Sequence, residues 1–274
     1  MLKERVITAI LLLIAVALVL FVLPPVFFSG FILLVILLAA WEWARLSGLE
    51  DSTYRIGYAV AVTVLVILLY LLPTSVQLFL ARITCIAALG FWGFALYCLV
   101  AKPELVATRQ TFDRTLLATG VFVLLSTALS LTILRYHASQ QSVWLLLYVL
   151  SLVWVMDIGA YFSGRRFGKT KLAPLISPGK TREGVYGGIA GAICLVIFAL
   201  LLHEPFRQQA FLFLLASIAA ALISVAGDLY VSRLKRSRGI KDSSQILPGH
   251  GGVMDRIDGV VAAVPVFLGI WIWA

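Results

Sequence analysis

Charge is scarce in this chain: 13% of its 274 residues are Asp, Glu, Lys or Arg, where ordinary soluble domains carry roughly 25%. Acids are scarcer than bases, 13 against 22, leaving a formal net charge of +9. With 62% hydrophobic residues and a mean hydropathy of +1.03, this scarcity excludes a water-soluble globular domain and points to a polytopic membrane protein. Cysteine is nearly absent. Cys85, Cys98 and Cys194 all fall in apolar stretches, which excludes a disulfide framework or a zinc site and suits packing residues. No internal repeat or low-complexity tract is present. Lys3 and Arg5 precede an apolar run as in a signal peptide, but no small-residue cleavage site follows, so an uncleaved anchor is expected. The basic excess has no aromatic-interleaved patch, so nucleic acid is not an expected partner.

Long apolar stretches are what the chain has in abundance. A span needs about 20 apolar residues, and nine candidates are found at 6–23, 26–46, 57–73, 76–100, 115–134, 143–163, 185–203, 208–230 and 258–273. Pro24-Pro25 separates the first two, and proline cannot sit inside a helix without breaking it, so these read as a tight helical hairpin. Nine spans with a cytoplasmic N-terminus put 19 of the 22 Lys and Arg on one side, leaving Arg82, Arg135 and Arg207 on the other. That asymmetry follows the positive-inside rule. The expected fold is an all-α polytopic membrane protein of about nine transmembrane helices, with the C-terminus opposite the N-terminus. Residues 1–274 form one integral membrane domain: about 1–140 a helical scaffold, about 143–274 a catalytic half with cytoplasmic loops 164–184 and 232–257. Within the scaffold Glu42 and Arg45, at i and i+3, read as an interfacial ion pair.

The polar residues concentrate in Ser232–Asp258, SRLKRSRGIKDSSQILPGHGGVMDRID. Six bases (Arg233, Lys235, Arg236, Arg238, Lys241, Arg256), three acids (Asp242, Asp255, Asp258) and His250 occur in 27 residues. Gly251 and Gly252 free the backbone to approach a ligand. Bases bind phosphate, carboxylates bind a hard divalent cation, and a glycine-rich turn can bring both together. An acid at the depth of Asp228, in SVAGDLYVS, is costly unless paired or metal-bound, and is a functional candidate by default. Asp228, Ser232 and Lys235 share one helix face; Asp255 and Asp258 share another. Asp228, Asp255 and Asp258 are the expected metal ligands, the alternative being an Asp–Arg network that only holds the loop. His250 is open to three roles: ligand, phosphate donor or general base. A phosphate nucleophile is ionised at neutral pH, which favours His250 as a positioning donor.

A second constellation, DIGAYFSGRRFGKTKLAPLISPGKTREG at 157–184, places Asp157 and Tyr161 at i and i+4 and then adds six bases. Gly168-Lys169-Thr170 and Gly179-Lys180-Thr181 invite a Walker A reading. Both fail, because Ser163 and Pro174 stand where the first glycine belongs and no strand is expected before either. The bland reading is a basic cytosolic loop; the sharper one is a second wall of the site, using Ser177, Lys180, Thr181 and Glu183.

Ser232, Lys235, Arg236, Lys241, Asp242, Pro248, His250, Gly251, Gly252, Asp255, Arg256 and Asp258 fall in register with the signature of the phosphatidate cytidylyltransferases. LPPVFF near the N-terminus, AAWEWARLSG ending at Gly48 and SPGKTREG at Ser177–Gly184 also resemble bacterial members, so the likeness covers nearly the whole chain. It implies condensation of CTP with phosphatidic acid to CDP-diacylglycerol and pyrophosphate, in a bacterial cytoplasmic (inner) membrane. It further implies Mg²⁺ as cofactor, with Mn²⁺ as a substitute and a second cation as an option, and a homodimer that nothing in the residues derives. Under it Asp228, Lys235, Arg236, Lys241, Asp242, His250, Asp255, Arg256 and Asp258 are catalytic. Asp157, Tyr161, Ser177, Lys180, Thr181, Glu183, Ser232, Gly251 and Gly252 contact substrate.

Rival readings fare worse. Asp258-Gly259 followed by Ala262 begins like the motif of CDP-alcohol phosphotransferases, but Ala263 stands where that motif has Arg. A CTP-dependent polyprenol kinase has no reason to carry the full signature. An anion transporter should show repeated halves with interrupted helices, and the chain has one asymmetric polar cluster instead.

Overall fold

The computed structural model describes residues 2–101, 111–136 and 142–273. Lys102, Arg109 and Ala274, used in the charge and topology reading, lie outside them. Helix α1 (Leu2–Ala17) runs into a π-helical turn at Leu18–Val22 and stops before Pro24. Pro25 then occupies the first turn of α2 (Pro25–Leu46), where its missing N–H costs nothing. The helix break expected at Pro24-Pro25 is therefore present. Asp51 caps α3 (Ser52–Leu71) by accepting from the N–H groups of Thr53 at 2.6 Å and Tyr54 at 3.4 Å. There follow α4 (Thr74–Ala101) and α5 (Arg114–Tyr136), the latter capped by Asp113 through the Leu116 N–H at 3.0 Å.

The remaining elements are α6 (Ser142–Phe167), strands β1 (Lys171–Ala173) and β2 (Ser177–Thr181), α7 (Arg182–Leu202), a short α8 (Glu204–Gln208), α9 (Ala210–Ser237), α10 (Met254–Ile257) and α11 (Val260–Trp271). β1 and β2 pair antiparallel, Lys171 opposite Thr181 and Ala173 opposite Ser177. The fold is thus all-α apart from one hairpin, which stands within the expected cytoplasmic loop 164–184. β2 contains Gly179-Lys180-Thr181 within the strand, so the Walker arrangement of strand, turn and helix is still not formed.

Among the described residues, seven helices are long and apolar enough to cross a membrane: α2 to α7 and α9. The first and last apolar segments are shorter. α11 has only 12 residues, but Val260–Leu268 are all buried, so it is the central post against which α9, α4, α5 and α6 pack. Pro265 inside it cannot donate to the carbonyl four residues back. That carbonyl, on Val261, instead accepts from Thr127 Oγ1 of α5 at 3.2 Å.

The two ends of the bundle differ in chemistry. At one end Thr8 Oγ1 donates to the Pro248 carbonyl (3.0 Å), Trp43 Nε1 to Leu116 (2.8 Å), and Arg238 Nε to Leu46 (2.8 Å). The start of α1, the ends of α2 and α9 and the start of α5 therefore share this end with the signature loop. The other end is closed by aromatic contacts, Phe21 with Trp144, Trp144 with His203, and Phe206 with Trp271. The candidate polar residues of both loops concentrate at the polar end.

Candidate active site

The signature loop folds around two carboxylates. Asp255 Oδ2 accepts from the N–H of Gly252 (2.9 Å), the N–H of Ser243 (2.9 Å) and Ser243 Oγ (3.0 Å), while Oδ1 meets Lys235 Nζ at 2.6 Å. The pair is nearly enclosed, with side-chain exposures of 10% for Lys235 and 5% for Asp255. Burial pushes the Asp255 carboxyl up, but the Lys235 ammonium and the N–H groups of Gly252 and Ser243 outweigh it, so the group sits below its ordinary value.

The second carboxylate is Glu42, and the sequence reading misplaced it. Glu42 is fully buried and makes no pair with Arg45. It accepts from Ser243 Oγ (2.9 Å), Ser244 Oγ (2.6 Å), Val253 N (2.9 Å) and Met254 N (2.6 Å). Arg45 Nη1 donates instead to the Ser243 carbonyl at 2.9 Å. The first turn of α10 presents free N–H groups to which a carboxylate is well matched, so the ionic partner at i+3 loses to partners some 200 residues away. Gly252 is needed for this contact: a Cβ there would run into Glu42 and Ser243 Oγ. Gly251 has a φ of +82°, which favours glycine.

The hairpin loop reaches α9. Lys180 Nζ reaches Asp228 Oδ2 at 2.6 Å, and Ser232 Oγ donates to Asp228 Oδ1 at 3.1 Å, which joins β2 to the face of α9 read from the sequence. A cavity of about 440 Å³ opens here, lined by Asp157 and Tyr161 of α6, Ser177, Lys180 and Thr181 of β2, and Asp228. Six of the expected substrate or metal residues thus border one space. Asp258 follows α10 against Gly227, its backbone passing so tightly that a Cβ on Gly227 would run into the Asp258 carbonyl; it is not among the residues lining the cavity.

Other expected residues have different surroundings. Thr181 Oγ1 caps α7 by accepting from Gly184 N at 3.1 Å, and Glu183 accepts from the N–H groups of Lys169 and Thr170, so both shape the loop. Arg236 bridges the two loops through the carbonyls of Ile176 and Ile240, each at 3.3 Å. Lys241, Asp242 and Arg256 are exposed at the polar end. His250 sits in a turn closed by His250 N to the Leu247 carbonyl, its Nδ1 buried without a protein partner. Among the described residues, no group of three or more His, Cys, Asp or Glu converges as a metal-binding cluster. The missed residue, Glu42, carried a usable signal: an acid in an apolar span is a candidate by the same rule that singled out Asp228.

Comparison with known proteins gives this geometry its lineage. The model of the Cytidylyltransferase family matches residues 3–272. A phosphatidate cytidylyltransferase of Pseudomonas aeruginosa is 44% identical over 274 residues, covering 100% of this chain and 98% of that protein. One from Haemophilus influenzae is 39% identical, covering 97% of each chain. One from Brucella suis is 37% identical, covering 96% of this chain and 90% of its own. A match spanning both loops, the cavity and the scaffold that holds them means that this chain belongs to the cytidylyltransferase family.

Proposed function

We propose that the protein is a CTP:phosphatidate cytidylyltransferase, a multi-pass enzyme of a bacterial cytoplasmic membrane. A phosphate oxygen of phosphatidic acid attacks the α-phosphorus of CTP. One P–O bond forms to give CDP-diacylglycerol, and the bond to the β-phosphate breaks to release pyrophosphate. The observation that carries the reading is the Lys180–Asp228 pair, which ties the basic hairpin to α9 beside the cavity at one end of an apolar bundle. Two acyl chains leave a bilayer only at high cost, so such an enzyme must meet the headgroup where apolar helices end.

In this reading Lys180, Lys235, Arg236, Lys241 and Arg256 clamp phosphates, and Ser177, Ser232, Tyr161 and His250 orient them. Positioning and electrostatics are most of what such a transfer requires. The phosphate nucleophile is already ionised, so no residue has to act as general base. Asp228, Asp255 and Asp258 are the hard-oxygen donors that would hold Mg²⁺, or Mn²⁺ in its place; among the described residues they do not converge as a ready-made cluster. Asp228 and Asp255 each already hold a cation, a lysine ammonium. When bound, the ion would neutralise charge on the polyphosphate as pyrophosphate departs.

The proposal extends to topology and assembly. Nine spans put the N-terminus and both polar loops in the cytoplasm, supported by the 19 of 22 bases on that side. Reporter fusions at residue 274 and within 164–183 should then give opposite signals, and matching signals would refute the count. The homodimer is checked by the mass of the detergent-solubilised particle. For the reaction, purified protein is incubated with phosphatidic acid, Mg²⁺ and each nucleoside triphosphate. Pyrophosphate release should require both the lipid and CTP; release without lipid, or equal release with ATP, would reject the assignment.

A further inference from the structure

Between Gly239 and His250 the signature loop is solvent-facing or half-buried except at Ser243 and Ser244, which are 0% and 5% exposed. Those two serines are the loop residues whose hydroxyls Glu42 accepts, at 2.9 Å and 2.6 Å. Glu42 also takes the N–H groups of Val253 and Met254, on the far side of the same loop. One carboxylate therefore gathers both arms of the loop at its base. All four partners donate to it, which matches the acceptor-only inventory of a carboxylate.

Ser243 gives this anchor a path to the site. Its hydroxyl lies 2.9 Å from Glu42 Oε2 and 3.0 Å from Asp255 Oδ2, yet it has a single proton to give. Its backbone N–H is fixed on Asp255 at 2.9 Å, and the other oxygen of Asp255 holds Lys235 at 2.6 Å. Glu42, Ser243, Asp255 and Lys235 form one chain of contacts from an N-terminal helix to the basic face of α9. Nothing in that chain needs Glu42 to touch substrate.

We propose that Glu42 is a positioning residue, which sets Asp255 and Lys235 through Ser243. The inference rests on the cytidylyltransferase reading for its consequence in rate, but not for its geometry. Glu42→Gln keeps the size and turns one acceptor into a donor facing donors. Ser243→Ala cuts the path to Asp255, whereas Ser244→Ala loosens the same anchor without touching Asp255.

The experiment uses full-length protein in detergent and measures turnover, KM for CTP, melting temperature and the rate of tryptic cleavage after the exposed Lys241. For Glu42→Gln the expected result is turnover down about 100-fold, KM within about threefold, and cleavage at Lys241 faster by about tenfold. Ser243→Ala should lose more rate than Ser244→Ala. The double variant Glu42→Gln/Ser243→Ala should be no slower than Glu42→Gln alone, because both cut one path. Wild-type turnover per folded molecule in Glu42→Gln, or losses that multiply in the double variant, would overturn the proposal. Should Glu42→Gln fail to insert, the serine pair decides, and a Ser243→Ala loss no greater than that of Ser244→Ala overturns it. Should the wild-type protein make no CDP-diacylglycerol, the functional reading falls by itself. The cleavage rate at Lys241 needs no substrate, and unchanged cleavage in Glu42→Gln would then sink the anchor.

Discussion

Glu42 and Glu183 each collect backbone N–H groups from a polar loop at the same end of the molecule, but in opposite surroundings. Glu183 reaches the N–H groups of Lys169 and Thr170, 13 to 14 residues away, from a half-exposed position at the start of α7. Glu42 reaches four donors more than 200 residues away from a fully buried one. The hairpin loop is thus a local structure with water at hand to replace a lost bond. The signature loop is assembled by tertiary packing, and its donors have nowhere else to turn. An unpaired buried donor costs about 1–3 kcal/mol, whereas an exposed one is resolvated.

Three substitutions would break or sharpen this contrast. Asp255→Asn at the buried loop has the largest expected effect, a rate loss of at least about 100-fold, or roughly 2.7 kcal/mol in the barrier. It also strands the Lys235 ammonium, and breaking a buried pair costs about 3–5 kcal/mol of stability. Adding Lys235→Met should restore the melting temperature but not the rate; if both return together, Asp255 serves only the fold. Lys180→Met, where the hairpin meets α9, comes next. Its pair is 25% and 29% exposed, so melting should move by less than about 1 kcal/mol equivalent while turnover falls about tenfold. An unchanged rate would remove Lys180 from the site. Glu183→Gln is smallest, within about threefold in rate and about 1 kcal/mol in stability. A loss as large as that at Asp255 would erase the distinction between the loops.

Asp255 should also be silent in the neutral pH profile. Its folded value is lowered, so the stability it contributes is complete above its ordinary 3.8 and is lost as pH falls through the lower folded value. A step in rate between pH 5 and 8 that disappears in Asp255→Asn would contradict its placement.

Much of this was legible in the sequence where the cause is local. Pro24-Pro25 breaks a helix wherever it occurs, and the face shared by Asp228, Ser232 and Lys235 follows from helical periodicity alone. The β1–β2 hairpin was not legible, because strands of three and five residues written Lys-Leu-Ala and Ser-Pro-Gly-Lys-Thr carry no alternating pattern. Nor was the partner of Lys180. Sequence could place it in a basic loop, but only packing brings it to Asp228. Glu42 was misread for the same reason: a nearby Arg45 offered a local explanation, while the loop that claims it lies in the other half of the chain.

Asp228 stands where the hairpin's Lys180 reaches α9, and its response to metal tests the proposed chemistry most directly. Asp228→Asn keeps the size and the hydrogen bond with Ser232 while removing the charge a cation needs. Rate is measured against Mg²⁺ and Mn²⁺ concentration alongside melting temperature. The expected result is a melting temperature close to wild type, a rate lower by at least about 100-fold, and partial recovery as either ion is raised. Near wild-type activity at limiting Mg²⁺, or a loss that follows lowered melting and ignores metal, would contradict the assignment of this carboxylate to the ion.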